Sequence, residues 1–302
     1  MRRIRHRIEY TAMAVVVFVL CRIPWRAVLA AADVFGWIAF HVVRMRRKVT
    51  LNNLRIAFPE KTESERKAIA ARAYRNFAKM VFEYSRFPVM NRETVLSLCE
   101  MEGKEHADWV LQNGKGAVLV AGHFGNWELM GAAFAQMGYP IQFLVGEQHN
   151  KLVDDGMNRN RELMGIGIIH MGVAVRGVIR ALRDNTFVAL LSDQDAGKEG
   201  VFVDFFGRPS STHQGPAVFA LRMEAPILFL SAIRLPRGRM RIRIELLRFE
   251  DLKEVTAENI RNVTQAYTGL LEKAVRERPD LYFWMHRRWK NRPPESNPDP
   301  AS

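Results

Sequence analysis

Short apolar runs alternate with segments of helical periodicity from about residue 115 onwards, and this alternation restricts the possible folds more than any other feature. Five runs have the length and apolar content of buried strands: GAVLVAG at 116–122, IQFLVG at 141–146, IGIIHMG at 166–172, FVALLSD at 187–193 and APILFLSAIR at 225–234. Helices are predicted near 127–137, 150–164, 174–184 and 213–224. Strands that alternate with helices predict an α/β fold, with a mixed, largely parallel sheet flanked by helices.

Three further elements follow from local patterns. Thr62 and Glu65 have capping-box spacing and open a long amphipathic helix. The segment 240–250 alternates arginine with isoleucine or leucine, as a half-exposed strand does. Thr256 begins a last predicted helix that reaches about Arg278.

The size and the cysteine content bound the organisation of the chain. With 302 residues, of which 48% are hydrophobic, the chain can bury one large core. Its two cysteines provide neither a disulfide framework nor the paired ligand spacing of a zinc ribbon. We predict an N-terminal membrane anchor with basic flanks at 1–48, one large domain at 49–293 and a disordered tail at 294–302.

The positive charge is concentrated beside the N-terminal apolar segment. The formal net charge is +13, and residues 1–48 hold ten Lys/Arg against Glu9 and Asp33. The apolar run at 11–21 is shorter than the about 20 residues that cross a bilayer. We therefore expect a retained, membrane-associated helix, which either spans the bilayer or lies in its interface, with the rest of the chain on the cytoplasmic side. A helix packed on its own domain is the alternative.

Nucleic-acid binding fits this charge distribution poorly. A binding surface of that kind interleaves Lys/Arg with aromatic residues on an exposed sheet, or places them on a recognition helix. Here the basic residues instead flank apolar helical segments. The pattern favours a membrane partner over a nucleic acid.

The stretch VAGHFGNWELMG at 120–131 contains the strongest candidate for catalysis. Two glycines form a turn after a strand, Asn126 is suited to cap the next helix, and Gly138 to end it. His123 then leaves the carboxyl end of the strand, and Glu128 projects from the first helical turn. Ligands bind at this edge of open α/β sheets.

A histidine and a glutamate at this place predict general-base chemistry. A carboxylate that is hydrogen-bonded to one imidazole nitrogen fixes the tautomer and raises the basicity of the other nitrogen. No G-x-S-x-G motif occurs in the chain, so we expect the nucleophile to be a hydroxyl of the substrate. Neither is there an H-E-x-x-H motif to predict a metal site. A purely structural histidine is the alternative, since H-x4-E also arises by chance.

Four stretches in order resemble the late acyltransferases of lipid A biosynthesis, the lauroyl- and myristoyl-type enzymes of the lysophospholipid acyltransferase superfamily with its H-x4-D/E motif. These stretches are HFGNWE, MNRNRELMG, LLSDQDAGKEGVFVDFFGRPSSTHQGPAVFALRMEAPILFL and YFWMHRRWKNRP. The similarity runs from about residue 10 to residue 293. Glutamate at position 128, where the glycerolipid members carry aspartate, fits the lipid A branch.

The resemblance implies an O-acyltransferase at the cytoplasmic face of the bacterial inner membrane. Such an enzyme moves a fatty acyl chain from an acyl carrier protein thioester to a hydroxyl of a lipid A precursor, without a cofactor or a metal. A phospholipid or another glycolipid as the acceptor is the alternative, and a coenzyme A thioester remains open as the donor.

The resemblance also assigns roles to individual residues. His123 would be the general base, with Glu128 as its orienting partner. Residues implied at the substrate are Asn126, Arg159, Arg161 and Asp193. For the two arginines a solvated helix face is the alternative. Asp193 could equally cap a loop or pair with Arg161.

The C-terminal stretch YFWMHRRWKNRP at 282–293 allows two interpretations. Its tryptophans and cations suit a surface pressed on anionic lipid headgroups. They also suit a segment that packs back on the domain and locks it.

Overall fold

The computed structural model describes residues 2–249 and 254–293; the predicted tail at 294–302 lies outside the described residues. The strands are β1 (Cys99–Glu102), β2 (Ala117–Ala121), β3 (Ile141–Val145), β4 (Gly167–His170), β5 (Phe187–Leu191), β6 (Val201–Asp204), β7 (Pro209–Thr212), β8 (Ile227–Arg234) and β9 (Met240–Leu247). The helices are α1 (Arg2–Arg22), α2 (Trp25–His41), α3 (Arg47–Ala57), α4 (Glu63–Tyr84), α5 (Arg92–Leu98), α6 (Lys104–Asn113), α7 (Trp127–Gln136), α8 (Lys151–Leu163), α9 (Ala174–Arg183), α10 (Gly215–Met223) and α11 (Ala257–Glu277).

Seven strands form one sheet in the order β1-β9-β8-β2-β5-β3-β4. Neighbouring strands are parallel except β8 and β9, which are antiparallel. This arrangement confirms the predicted α/β fold with a largely parallel sheet flanked by helices. Every residue of β2 is buried, as expected of a strand in the middle of a sheet that is covered on both faces.

The register of β2 and β5 determines what meets at one edge of the sheet. These two strands are parallel neighbours, and Ala121 at the end of β2 pairs with Leu191 at the end of β5. The residues that follow the two strands therefore leave the sheet at the same level. Because carboxyl ends of parallel strands share an edge, His123 and Asp193 are brought together here, each two residues beyond its strand.

The N-terminal region forms two helices rather than one. The first break falls between Arg22 and Trp25, where Pro24 provides the N-cap of α2. One face of α2 packs closely on α4, because a side chain at Gly36 would lie 2.5 Å from the Cα of Arg75. None of the helices in 2–249 and 254–293 combines the length and the apolar character needed to cross a bilayer. The division of the chain at residue 48 stays a prediction.

Most predicted elements lie where the sequence placed them. All five predicted buried strands, the strand at 240–250 and the predicted helices are present. The capping box is confirmed, since Thr62 Oγ1 accepts from Glu65 N at 3.2 Å and Thr62 N donates to Glu65 Oε2 at 2.7 Å. The sequence analysis missed β1 and the hairpin of β6 and β7, both of which have strands of four residues.

Candidate active site

His123 lies in a tight turn that joins β2 to α7. Gly125 in this turn has a φ of +64°, and a Cβ there would come within 1.8 Å of the carbonyl oxygen of Ala232 on β8. Only glycine combines this backbone conformation with so close an approach. The turn is also fastened by the C-terminal segment, since Phe283 N donates to His123 O at 3.0 Å and Gly125 N donates to Leu281 O at 2.9 Å. The imidazole therefore projects from a fixed backbone.

Asp193 is the carboxylate that holds the imidazole. His123 Nδ1 lies 2.7 Å from Asp193 Oδ1, and the Asp193 side chain is only 2% exposed. An ionised carboxylate only accepts, so Nδ1 carries the proton and Nε2 is left as the basic nitrogen. The side-chain amide nitrogen of Gln194 is 3.5 Å from Nε2. Trp127 packs edge-on against the ring, with centroids 4.8 Å apart.

The electrostatic surroundings of His123 favour its charged form. Burial opposes the charge on the ring, but the charge and the hydrogen bond of Asp193 outweigh it, and Glu128 adds to their effect, so the pKa of His123 is raised above its ordinary value. Burial likewise opposes ionisation of Asp193, yet the contact with His123 holds the pKa of this carboxyl below its ordinary value. The pair thus stabilises an imidazolium, the form that a general base reaches after taking a proton.

Glu128 binds Arg161 rather than His123. Arg161 Nη2 donates to Glu128 Oε1 at 2.6 Å, and Arg161 Nε donates to Glu128 Oε2 at 3.0 Å, so both carboxylate oxygens are occupied. The prediction that Glu128 orients His123 is therefore wrong, and Asp193 takes this place. The suggested pairing of Asp193 with Arg161 is wrong for the same reason, because Arg161 already makes a bidentate pair with Glu128.

Arg161 is anchored from two sides, whereas Arg159 lies on the exposed face of α8. Arg161 Nη1 also donates to Asn158 Oδ1 at 3.0 Å, and the Arg161 side chain is only 12% exposed. Arg159 lies two residues earlier on α8, is exposed, and does not line the cavity beside His123. The predicted substrate contact of Arg159 is not supported by this position, which matches the solvated helix face given as the alternative.

Asn126 is fully buried and both ends of its amide are used within the protein. Its Oδ1 accepts from Leu129 N at 2.9 Å, which confirms the predicted N-cap of α7. Its Nδ2 donates to Glu83 Oε2 at 2.7 Å. Because both contacts are made within the protein, they indicate a role for Asn126 in holding α7, and its contact with substrate stays a prediction.

A buried ion pair stands behind Asn126. Glu83 on α4 has no exposed surface, and it accepts from Arg234 Nη1 at 2.5 Å and Arg234 Nη2 at 2.8 Å. Arg234 ends β8, only two residues beyond Ala232, which contacts the turn at Gly125. The chain of contacts Arg234, Glu83, Asn126 and the first turn of α7 therefore connects three elements directly behind the site. Sequence reasoning missed Glu83 and Arg234.

A cavity of about 340 Å³ opens beside His123. Its polar lining comprises His123, Glu128, Gln148 and Arg161. Its apolar lining comes from α7 and the strands β2, β3, β5 and β8, with α8 beside it: Leu119, Ala121, Trp127, Met130, Phe134, Ile141, Phe143, Leu144, Val145, Met157, Ala189, Leu190, Leu191 and Leu230. A lining with a few polar side chains, His123 among them, and otherwise apolar residues suits a ligand with a reactive head and an aliphatic tail.

The C-terminal stretch packs into the protein, and Arg288, one of its cations, is buried. Trp284 is 1% exposed, and its Nε1 donates to Pro279 O at 2.7 Å. Arg288 is 2% exposed and donates to Ser211 O at 2.5 Å and Thr212 Oγ1 at 2.6 Å. These contacts match the interpretation of a segment that locks the domain.

Comparison with known proteins decides the family. The sequence profile described as "Bacterial lipid A biosynthesis acyltransferase" matches residues 1–291, nearly the whole chain. This chain belongs to the bacterial lipid A biosynthesis acyltransferase family. It is accordingly an acyltransferase, and the resemblance of the four sequence stretches is confirmed.

Individual relatives of the acyltransferase agree with the family match. The chain is 26% identical over 288 residues to a lipid A biosynthesis acyltransferase of Haemophilus influenzae, covering 93% of this chain and 89% of that protein. It is 24% identical over 280 residues to the lipid A biosynthesis lauroyltransferase of Escherichia coli, covering 92% and 90%. A phosphatidylinositol mannoside acyltransferase of Mycobacterium tuberculosis is 29% identical over 152 residues, 48% of each chain.

The part of the acyltransferase that the structure describes contains no group of three or more His, Cys, Asp or Glu side chains placed to hold a metal ion.

The position of Asp193 beside His123 could have been inferred from the sequence. Both residues lie at the carboxyl end of an apolar run predicted to be a strand, which would place them at one edge if the two strands were known to be parallel neighbours.

Proposed function

We propose that this acyltransferase moves a fatty acyl chain from an acyl carrier protein thioester to a hydroxyl of a lipid A precursor, with His123 as the general base. The observation that carries the proposal is the 2.7 Å contact of His123 Nδ1 with buried Asp193, at the mouth of an apolar cavity. The family supports acyl transfer to a lipid A precursor. The donor and the catalytic roles are the finer part of the proposal.

The proposed reaction needs no protein nucleophile. His123 Nε2 takes the proton of the acceptor hydroxyl while that oxygen attacks the thioester carbonyl carbon. The C–O bond forms, and the carbonyl π electrons move to the oxygen as the tetrahedral intermediate appears. The carbonyl then re-forms, the C–S bond breaks, and the imidazolium gives its proton to the departing thiolate. Asp193 stabilises the imidazolium between these two steps.

Arg161 and Glu128 support the site in a different way from the pair of His123 and Asp193. Their bidentate pair places a guanidinium at the mouth of the cavity while leaving it nearly neutral as a unit. The arginine is held on α8 and the glutamate on α7, so the pair fixes the distance between these two helices. We propose a positioning role for Glu128 and Arg161, in place of the direct orientation of His123.

The lipid substrates would reach the cavity from a membrane interface at its mouth. Asn150 donates to His6 O at 2.9 Å and to Glu9 Oε2 at 2.8 Å, so α1 lies against the loop that follows β3. Gly146 and Gln148 of this loop line the cavity. Exposed apolar side chains lie on α1, on α2 and directly after α2: Ile4, Ile8, Val15, Phe18, Val34, Phe35, Val42 and Val43, each between 55% and 67% exposed.

Such an apolar face needs a partner, because soluble proteins rarely expose apolar residues in contiguous groups. Arg3, Arg5, Arg7, Arg22 and Arg26 lie on the same two helices, a combination that favours an anionic membrane surface. We therefore propose that α1 and α2 lie in the interface of the bacterial inner membrane, with the acyltransferase domain on the cytoplasmic side.

A second acceptor class is supported by one comparison. The chain is similar to a phosphatidylinositol mannoside acyltransferase over about half of each chain. The name of that relative contains a different glycolipid. An alternative proposal is therefore acyl transfer to another glycolipid or to a phospholipid, with the same chemistry at His123.

The test is a transfer assay with purified protein. Acyl carrier protein and coenzyme A thioesters are offered against a tetra-acylated disaccharide precursor, a lysophospholipid and a mannosylated phosphoinositide, and the products are measured by mass spectrometry. We expect transfer from the carrier protein thioester to the disaccharide, and a loss of about 10²- to 10⁴-fold in His123→Ala. His106→Ala, at a half-buried histidine of α6, is the control. Unchanged transfer by His123→Ala would overturn the proposed role of His123.

A further inference from the structure

The cavity beside His123 has a closed end, and helix α7 runs along its length. Trp127 and Glu128 lie on the first turn of α7, where Trp127 packs against His123; Met130 and Gly131 lie one turn further along the helix and Phe134 a further turn, all on one face. Seven residues from Trp127 to Phe134 correspond to about 10 Å along the helix axis.

Aromatic side chains close the far end. Phe134 is fully buried, with its ring centroid 5.0 Å from that of Tyr139 and 5.7 Å from that of Phe187. Phe187 begins β5 and is paired with Ile141, which begins β3 and also lines the cavity. The closed end therefore lies at the amino ends of the strands, opposite His123.

The closed end is supported from behind. The Tyr139 hydroxyl donates to Asp108 Oδ1 at 2.5 Å, and Asp108 accepts from Lys104 Nζ at 2.8 Å. Tyr139 is therefore held in place from outside the cavity, and its ring packs edge-on against Phe187, with centroids 5.7 Å apart. Removal of the Phe134 ring would extend the cavity as far as these two rings rather than collapse it.

We propose that Phe134 sets the maximum length of the acyl chain that this acyltransferase accepts. The inference rests on the proposed function, in which the acyl carbonyl lies at His123 and the tail enters the cavity. An extended chain advances about 1.2 Å per bond, since three bonds span at most about 3.6 Å, so 10 Å hold about eight bonds below the mouth. With the carbons at the mouth included, the cavity favours chains of about ten to twelve carbons over chains of sixteen.

A substitution at Gly131 is expected to reduce the space in the cavity, whereas removal of the Phe134 ring enlarges it. A Cβ at Gly131 would lie 2.2 Å from Cζ of Phe143, whose ring also lines the cavity. The ring must then move within the cavity, because the contact is far closer than van der Waals distance. Gly131→Ala therefore reduces the depth or the width available to the tail.

The first experiment measures transfer from a series of thioesters with eight to eighteen carbons. We expect the kcat/KM of the wild type to be highest at ten to twelve carbons. In Phe134→Ala the preferred chain is longer by at least two carbons, and the ratio of kcat/KM for sixteen over twelve carbons rises by at least about tenfold. Phe134→Leu gives a smaller shift in the same direction, and Gly131→Ala favours shorter chains.

Phe40→Leu is the matched control, because Phe40 is equally buried, packs on Tyr74 and does not line the cavity. This variant retains the wild-type chain-length profile. A wild-type optimum at sixteen carbons or more would overturn the inference. It would also be overturned if Phe134→Leu and Phe134→Ala fold normally but keep the wild-type profile.

A second measurement separates this inference from the proposed function. Binding of free fatty acids with eight to eighteen carbons is followed by calorimetry, without any transfer. Wild-type affinity is expected to rise with chain length and to stop rising at about twelve carbons, whereas that of Phe134→Ala continues to rise. If no thioester is used but this difference is seen, the proposed function fails and the cavity assignment stands. If the affinity of both proteins stops rising at the same chain length, the assignment of the length limit to Phe134 fails.

Discussion

The two carboxylates near His123 are used for different purposes. Asp193 bonds directly to the imidazole, whereas Glu128 is taken up by Arg161. The sequence identified all four residues but paired them wrongly, because H-x4-E spacing is visible in the sequence and the order of strands in a sheet is not. Asp193 is 70 residues from His123 along the chain and reaches it only because β5 lies beside β2.

The pair of Arg161 and Glu128 is predicted to matter for stability. Arg161→Ala leaves Glu128, 5% exposed, as an unpaired buried charge, which is expected to lower the free energy of unfolding by about 3–5 kcal/mol. The measurement is urea denaturation. Arg159→Ala on the exposed face of the same helix is the control and should stay within about 0.5 kcal/mol of the wild type. Equal effects of the two substitutions would contradict the assigned contacts.

At the scale of elements, the first turn of α7 carries the site and is held from behind. The cap at Asn126 could be predicted because it depends on neighbouring residues alone. The ion pair of Glu83 and Arg234 could not, since 151 residues separate the two along the chain. A polar side chain in an otherwise apolar helix or strand gives no indication of its partner until the packing of α4 on β8 is known.

Because Asn126 contacts both Leu129 and Glu83, loss of this N-cap is predicted to lower stability more than loss of an ordinary cap. Asn126→Ala removes the bond to Leu129 N, worth about 1 kcal/mol, and deprives buried Glu83 of a donor, which costs a further 1–3 kcal/mol or so. Asn91→Ala is the control, since Asn91 caps α5 by accepting from Thr94 N and is exposed. Thermal unfolding should show the greater loss in Asn126→Ala; matching losses would show that the contact with Glu83 contributes nothing.

At the scale of the molecule, the exposed apolar helix α1 lies against the loop that lines the cavity beside His123. The alternation of strands and helices was sufficient to predict the fold. The arrangement of residues 1–48 was harder to predict, because hydropathy alone does not reveal that α2 packs on α4 with one face and exposes Val34 and Phe35 on another.

Membrane binding is predicted to depend on this exposed face. Phe35→Ser combined with Val43→Ser removes two side chains that are 59% and 67% exposed, and binding to vesicles with about 20% phosphatidylglycerol should weaken by at least about tenfold. The control combines Trp109→Ser with Val255→Ser, both 48% exposed and outside α1 and α2. Vesicle sedimentation distinguishes the two proteins. Equal binding would show that α1 and α2 do not form the membrane surface.

The pH dependence of kcat/KM in wild type and Asp193→Asn tests the central claim most directly, that Asp193 tunes His123 as the general base. A base acts when deprotonated, so wild-type activity should rise with pH through a pKa above the ordinary 6.5 of histidine. Asp193→Asn removes the charge that raises this pKa, so the rise should move to lower pH while the plateau falls by roughly 10²- to 10⁴-fold. An unchanged profile and plateau in Asp193→Asn would contradict the account.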